Sequence, residues 1–272
     1  MAFNRFTALI LLTGLLGGGP AAGAPCQDTG DFDGWLRDFK SEAAAEGISE
    51  RTIASALAGI SYDPSIVAKD RSQRVFRQSF EQFSARMISS YRLKKGQALM
   101  RQYARTLERI EREFGVPGSI VVAIWGLETD FGANRGDQPT LRALATLAYD
   151  CRRSEMFREN LIDALKIIER GDLSPQEMRG AWAGELGQAQ FMASSYLKYA
   201  VDFDGDGRRD LMHSPADVLA STANYLKGYG WKRGAGWDVG EPNFAVLRQW
   251  NKSEVYSRTV ALFASKLADG QD

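Results

Sequence analysis

The stretch Pro117-Gly118-Ser119-Ile120-Val121-Val122-Ala123-Ile124-Trp125-Gly126-Leu127-Glu128-Thr129-Asp130-Phe131-Gly132 decides how the chain reads. Its apolar run predicts a short buried helix, with Pro117 suited to the first turn and Gly132 to a left-handed stop. Steps of three and four back from Glu128 reach Trp125, Ile124 and Val121, so Glu128 stands on the apolar face. An unpaired carboxylate there tends to keep its proton, and the partial negative charge at a helix C-terminus adds to the effect. A carboxylic acid that stays neutral near pH 7 is what general acid catalysis needs. The residues alone also fit a plainer role, a glutamate solvated at the helix edge or paired with one of the chain's many arginines.

Outward from this helix the pattern is helical almost throughout. Upstream, Trp35, Leu36 and Phe39 open a helix that Gly47 ends, and Ser49 caps a second that runs to Gly59. Phe76, Phe80, Phe83 and Met87 recur at steps of four, three and four. Leu99, Tyr103, Leu107, Ile110 and Phe114 predict one further amphipathic helix, stopped by Gly115. Downstream, helices are expected over 140–149 and 155–170. Ser174-Pro175-Gln176-Glu177 reads as a capping box that starts another, and Ser214-Pro215-Ala216-Asp217 starts one whose apolar face holds Leu219, Ala223 and Leu226. The last helix carries Tyr256, Val260, Phe263 and Leu267. No alternating strand of useful length is legible, so the fold class is mainly α, with at most a small hairpin.

The 272 residues suffice for one large domain or two small ones. Lys plus Arg and Asp plus Glu balance at 34 each, so nothing global points to nucleic acid or an anionic membrane surface. Residues 1–24 read as a secretory signal peptide: Arg5, an apolar run from Ala8 to Leu16, then small residues ending at Ala24. No other run is long enough to span a membrane, so the mature protein is expected to be soluble and periplasmic. Cys26 and Cys151 are the two cysteines. In an oxidising compartment they can join, closing a long loop. The alternative, lipid attachment at Cys26, is disfavoured by Pro25. With His213 as the single histidine, a Ser-His-Asp triad, a Cys-His pair and a multi-His zinc site are all poor fits. Carboxylates remain.

Two further stretches carry chemistry. Asp202-Phe203-Asp204-Gly205-Asp206-Gly207-Arg208-Arg209-Asp210 matches the first nine positions of an EF-hand calcium loop. Asp202, Asp204, Asp206 and Asp210 offer carboxylates, and Arg208 offers its carbonyl. Four acidic groups so close repel unless a cation joins them. At position 12, where the pattern wants a bidentate Glu, stands His213. Asp217 can take its place from a longer loop or serve only the cap at Ser214. The ion's expected role is structural. In Trp182-Ala183-Gly184-Glu185-Leu186-Gly187-Gln188-Ala189-Gln190-Phe191-Met192, small residues and two amides among aromatics suit a surface that a sugar chain approaches closely. Glu185 there can be a second catalytic carboxylate or a salt-bridge partner, and the residues alone favour the salt bridge.

Three motifs in this order resemble the membrane-bound lytic murein transglycosylase B family: "GLETDFG" around Glu128, "AGELGQAQFM" around Gln190, and "YAVDFDGDGRRDL" followed by "STANYLKGYGW". The resemblance runs from about Cys26 to the C-terminal "NFAVLRQWNKSEVYSRTVALFASKLA". It implies a lysozyme-like helical fold over 25–272, with an N-terminal helical part at 25–115 and a catalytic core at 116–272. It implies cleavage of the β-1,4 bond between N-acetylmuramic acid and N-acetylglucosamine of peptidoglycan strands, with 1,6-anhydro ends, and no transmembrane anchor. Glu128 falls on the family's catalytic Glu, with sugar contacts on Arg152, Arg153, Gln190 and Tyr225. Taken without the resemblance, Arg152 and Arg153 read equally as surface charge or partners of Asp150 and Glu155. A calcium loop is implied at Asp202, Asp204, Asp206 and Arg208. Two departures bear on activity. Only eleven residues separate Trp231 from Asn243, where relatives carry a longer segment that helps build the groove. A C-terminal peptidoglycan-binding module, present in some relatives, is not expected. Hydrolysis of the same bond by a goose-type lysozyme, and a catalytically idle murein-binding protein, are the alternatives.

Overall fold

In a computed structural model of the protein, residues 30–72 and 78–270 are described. The segment 1–24, Cys26 and Phe76 lie outside them. The first three helices, α1 (Phe32–Ala45), α2 (Glu50–Ala56) and α3 (Pro64–Arg71), each begin at a side-chain cap, from Asp31, Ser49 and Asp63. Then come α4 (Phe80–Met87), α5 (Ser90–Gln102), α6 (Ala104–Phe114) and α7 (Gly118–Thr129), the helix of Glu128. After α8 (Thr140–Tyr149) and α9 (Ser154–Arg170) the chain finishes with α10 (Ala193–Tyr199), α11 (Pro215–Gly228), α12 (Phe244–Trp250) and α13 (Glu254–Ala268).

α7 is the axis of the fold. Every residue from Gly118 to Leu127 is buried, which is the mark of a helix surrounded on all sides. It packs against α13, α5, α11 and α6, while α8, α9 and α10 form a second group with α1, α2 and α3 around it. One apolar cluster runs through both groups, from Phe32 to Leu267. Gly126 permits the closest approach: a Cβ there would lie 2.7 Å from the Phe131 ring and 3.0 Å from that of Phe263. Gly126→Ala therefore forces backbone shifts in a filled core.

The ends of α7 differ from the sequence expectation. Pro117 sits one position earlier than foreseen, as the extended N-cap. The stop comes at Asp130, two residues before Gly132, and Asp130, Phe131 and Gly132 are all left-handed (φ 51°, 61° and 82°). Two backbone bonds close the turn, from Asp130 to the Gly126 carbonyl and from Phe131 to that of Trp125. Asp130 bears this conformation because Arg92 grips its carboxylate through Nε at 2.8 Å and Asn134 Nδ2 donates at 2.7 Å. Those donors and the charges of Arg92 and Lys95 also hold its pKa below the usual range, against the effect of burial.

Two other expectations are corrected. The stripe from Leu99 to Phe114 is two helices, because the chain bends at Tyr103 (φ −101°, ψ 17°). The bend lets α5 and α6 both lie on α7, with the Tyr103 ring edge-on to Trp125. At Ser174 the reciprocal capping bonds form, between Ser174 N–H and Glu177 Oε2 and between Glu177 N–H and Ser174 Oγ. Only a turn follows, since Arg179–Gly180 leaves to become strand β2, pairing antiparallel with β1 at Gln138–Pro139. Tertiary pairing outweighs a local helix start. The sheet is thus a two-residue ladder between distant segments, extended by bridges from Leu186 to Gly180 and Phe191.

Candidate active site

Glu128 is the single residue of α7 before Thr129 that is not fully buried. Its Oε1 accepts hydrogen bonds from Trp250 Nε1 at 2.9 Å and from Tyr256 O–H at 2.5 Å. Among the described residues no cation pairs with it. Burial pushes its pKa up, the two donors pull down, and the charge of Glu185 pushes up again; the net direction is up. Tyr256 is itself buried, beside the Glu128 charge, and its pKa lies well above that of free tyrosine. It is therefore a permanent donor to Glu128.

Around this carboxyl lies a cleft of about 260 Å³, lined by Glu128, Glu185, Gln190, Tyr225, Trp250 and Asn251 among others. Gln188 fixes its geometry. The side chain takes the Trp125 Nε1 hydrogen bond (3.0 Å) and donates to the Met212 carbonyl (3.0 Å), while its own carbonyl accepts from Thr129 Oγ1 (2.5 Å). Of the two amides the sequence offers for reading sugar hydroxyls, Gln188 is thus a buried tie between α7 and the 185–191 loop. Gln190 faces the cleft, in a left-handed conformation (φ 54°) held by bonds from Nε2 to the Arg135 and Gly187 carbonyls. A strained residue fixed by its surroundings at a cleft is a feature of functional sites.

Among the described residues Glu185 forms no salt bridge. One oxygen accepts from Ala183 N–H at 3.1 Å, and the carboxyl shares the cleft with Glu128. Burial raises its pKa, opposed by backbone donors and by the charge of Arg153. Tyr225 lies in the cleft wall, its hydroxyl donating to the Gln249 carbonyl at 2.9 Å. Arg152 and Arg153 stand apart from the lining, at the start of α9. Their partner is neither Asp150 nor Glu155 but buried Asp70, which takes a 2.6 Å bond from Arg152 and one from Arg153; Asp150 pairs with Arg71. Trp250 and Tyr256 are site residues that the sequence reading misses. The available signal was chemical: an aromatic with an N–H or O–H on a packed helix face needs an acceptor.

In the aspartate loop, oxygens of Asp202, Asp204 and Asp217 converge within 4.8 Å of one another. Asp217 is fully buried. It accepts backbone N–H bonds from Phe203 (2.7 Å), Asp204 (3.4 Å) and Asp210 (2.8 Å), while its own N–H caps onto Ser214 Oγ. Asp206 accepts from Arg208 N–H. Asp210 turns back on Met212 and His213, so His213 faces Asp210. The Arg208 side chain reaches Asp172 and Glu177, leaving its carbonyl as the part available to the loop. An all-oxygen set of this kind suits a hard divalent cation.

A helical domain whose central helix presents a sheltered glutamic acid to an aromatic-walled cleft defines a lysozyme-like class of fold. Residues 31–240 match the family described as Transglycosylase SLT domain, and the chain belongs to that family. It is 39% identical over 153 residues to membrane-bound lytic murein transglycosylase B of Escherichia coli, a match covering 56% of this chain and 42% of the relative's length. Its structure is similar to that of SltB3 from Pseudomonas aeruginosa in complex with NAG-NAM-pentapeptide, with a TM-score of 0.83 at 33% identity over 87% of this chain and 79% of that one. It is also similar to Escherichia coli Slt35 in complex with calcium, with a TM-score of 0.77 at 26% identity over 87% and 93%.

Proposed function

We propose that the chain is a lytic transglycosylase of peptidoglycan, cleaving between N-acetylmuramic acid and N-acetylglucosamine and leaving 1,6-anhydromuramic ends. The observation that carries this reading is the Glu128 carboxyl: sheltered, paired with no cation among the described residues, biased toward its protonated form and held at a fixed angle by two donors. In the first step its proton passes to the glycosidic oxygen as the C1–O bond breaks and the acetamido oxygen bonds to C1. In the second the Glu128 carboxylate takes the proton of the C6 hydroxyl as O6 displaces the acetamido oxygen from C1. One residue serves both steps, so its pKa must lie nearer neutrality than that of a free glutamate.

Glu185 supports a second reading, hydrolysis of the same bond with Glu185 activating a water, as paired carboxylates do in glycosidases. Mass spectrometry of digested murein separates the two: transglycosylation gives anhydro ends without reducing muramic acid, hydrolysis the reverse. A chain that gives neither product from murein is a binding protein.

The pH profile tests the role of Tyr256. Its O–H stabilises the charged form of Glu128, so Tyr256→Phe makes ionisation harder. The alkaline limb of the pH–rate profile, where the acid form is lost, is expected to move to higher pH. A limb moved to lower pH contradicts the assignment.

Further parts of the reading are proposals on the same footing. Arg152 and Arg153, anchored by Asp70 at the start of α9, and Gln190 and Tyr225 in the cleft contact the substrate. Asp202, Asp204 and Asp217, completed by Asp206, Asp210 and the Arg208 carbonyl, hold calcium, which braces the loop next to α11 and takes no part in the chemistry. The leader at 1–24 directs the chain to the periplasm, where Cys26 and Cys151 pair; among the described residues no cysteine is free. The 25–115 part supports the 116–272 core. The short connection from Trp231 to Asn243, built around Asn243 bonds to Lys232 and Ala235, leaves the groove more open than in relatives with a longer segment there.

A further inference from the structure

Ring contacts lead away from Glu128 in order. Trp250, which donates to the carboxyl, lies 4.9 Å from Tyr225 between ring centroids, and Tyr225 lies 4.6 Å from Tyr229. Tyr225 and Tyr229 are four residues apart at the end of α11, so their rings share a face. Tyr225 is buried, but Tyr229 is 42% exposed. Tyr199 supports both from behind, at 5.1 Å from Tyr225 and 5.8 Å from Tyr229. Room for that support depends on Gly228, where a Cβ would meet the Tyr199 ring at 2.5 Å. Lys198, exposed, places its ammonium 4.9 Å from the Tyr199 centroid.

An aromatic ring fixed from behind and open in front is pre-organised to stack, and the apolar face of a pyranose is a natural partner for it. We infer that Tyr229, braced by Tyr199, with Lys198 beside it, forms an outer subsite for a further sugar ring of the strand whose inner units lie over Trp250 and Tyr225. The ring stacks on Tyr229, and Lys198 takes a carboxylate of the muramic acid unit. The inference deepens the glycan reading and rests on it. A chain recognised at Tyr229 as well as at Glu128 must span both, so affinity should rise with strand length until this subsite is filled.

The test uses peptide-free murein strands fractionated by length, with binding followed by tryptophan fluorescence in wild type, Tyr229→Ala and Tyr229→Trp. Wild-type affinity is expected to climb with length. Tyr229→Ala is expected to level off at a shorter length and to bind long strands roughly two- to tenfold more weakly, the range a single stacked ring commands. Tyr229→Trp should restore the climb, and its indole emission should respond to long strands and not to short ones. Length dependence identical in wild type and Tyr229→Ala overturns the subsite while leaving the glycan reading intact. A wild-type chain that binds no strand of any length overturns both.

Discussion

Glu128→Gln is expected to lower turnover of murein by at least about a thousandfold, since one positioned proton transfer is worth roughly 10²–10⁴ and this residue performs two. The amide keeps an oxygen for the Trp250 and Tyr256 donors, so the fold should survive. Stability should in fact rise. The folded-state pKa of Glu128 is raised above its unfolded value. Below about pH 4, the range in which a free glutamate titrates, both states are protonated and the residue costs nothing. As pH climbs from there toward the folded pKa, the unfolded state loses its proton more readily, and stability falls. The variant cannot ionise and escapes this loss. Its melting temperature should therefore exceed that of wild type at neutral pH, with the difference vanishing in acid. Calorimetry across pH 3.5–8 checks the sign. Full activity in Glu128→Gln, or a variant less stable than wild type at pH 7, would remove Glu128 from the role proposed for it.

Asp217→Ala is the second large effect. The carboxylate it deletes satisfies three backbone N–H groups at the loop's base. Leaving buried donors unmet costs about 1–3 kcal/mol each, so a loss of about 3 kcal/mol or more is expected even in chelator. Calcium adds a separable component. At a concentration a hundredfold above its Kd, linkage is worth about 2.7 kcal/mol, or roughly 5–10 °C in melting temperature for a domain of this size. Wild type should show that shift on chelation and Asp217→Ala should not. If chelation leaves wild-type melting unchanged, the loop holds its shape through the Asp217 bonds alone.

The parts legible in the sequence were those governed by neighbours a few residues apart. Ser49 and Ser214 cap helices where the sequence places them, and α8 and α9 run where the apolar spacing predicts. Glu128 stands on an apolar helix because its position relative to Val121, Ile124 and Trp125 follows from helical geometry. The aspartate spacing and Gly207 (φ 91°) likewise describe a tight loop of oxygens. Local rules give way where a distant partner competes with them. Ser174 has its capping bonds and yet no helix, because β2 is claimed by a strand some forty residues earlier in the chain. The stop of α7 falls on Asp130 rather than a glycine because Arg92 holds it there.

Sequence alone determined most of the helices, the placement of Glu128 on an apolar face and, through ordered motifs, the family. The tertiary structure decided what surrounds that acid. Trp250 and Tyr256 reach Glu128 across 122 and 128 residues, and Arg152 and Arg153 find Asp70 across 82 and 83. Dihedral preferences and side-chain periodicity act over one or two turns. Which donor meets which acceptor is settled only when the whole core closes and buried polar groups must be paired.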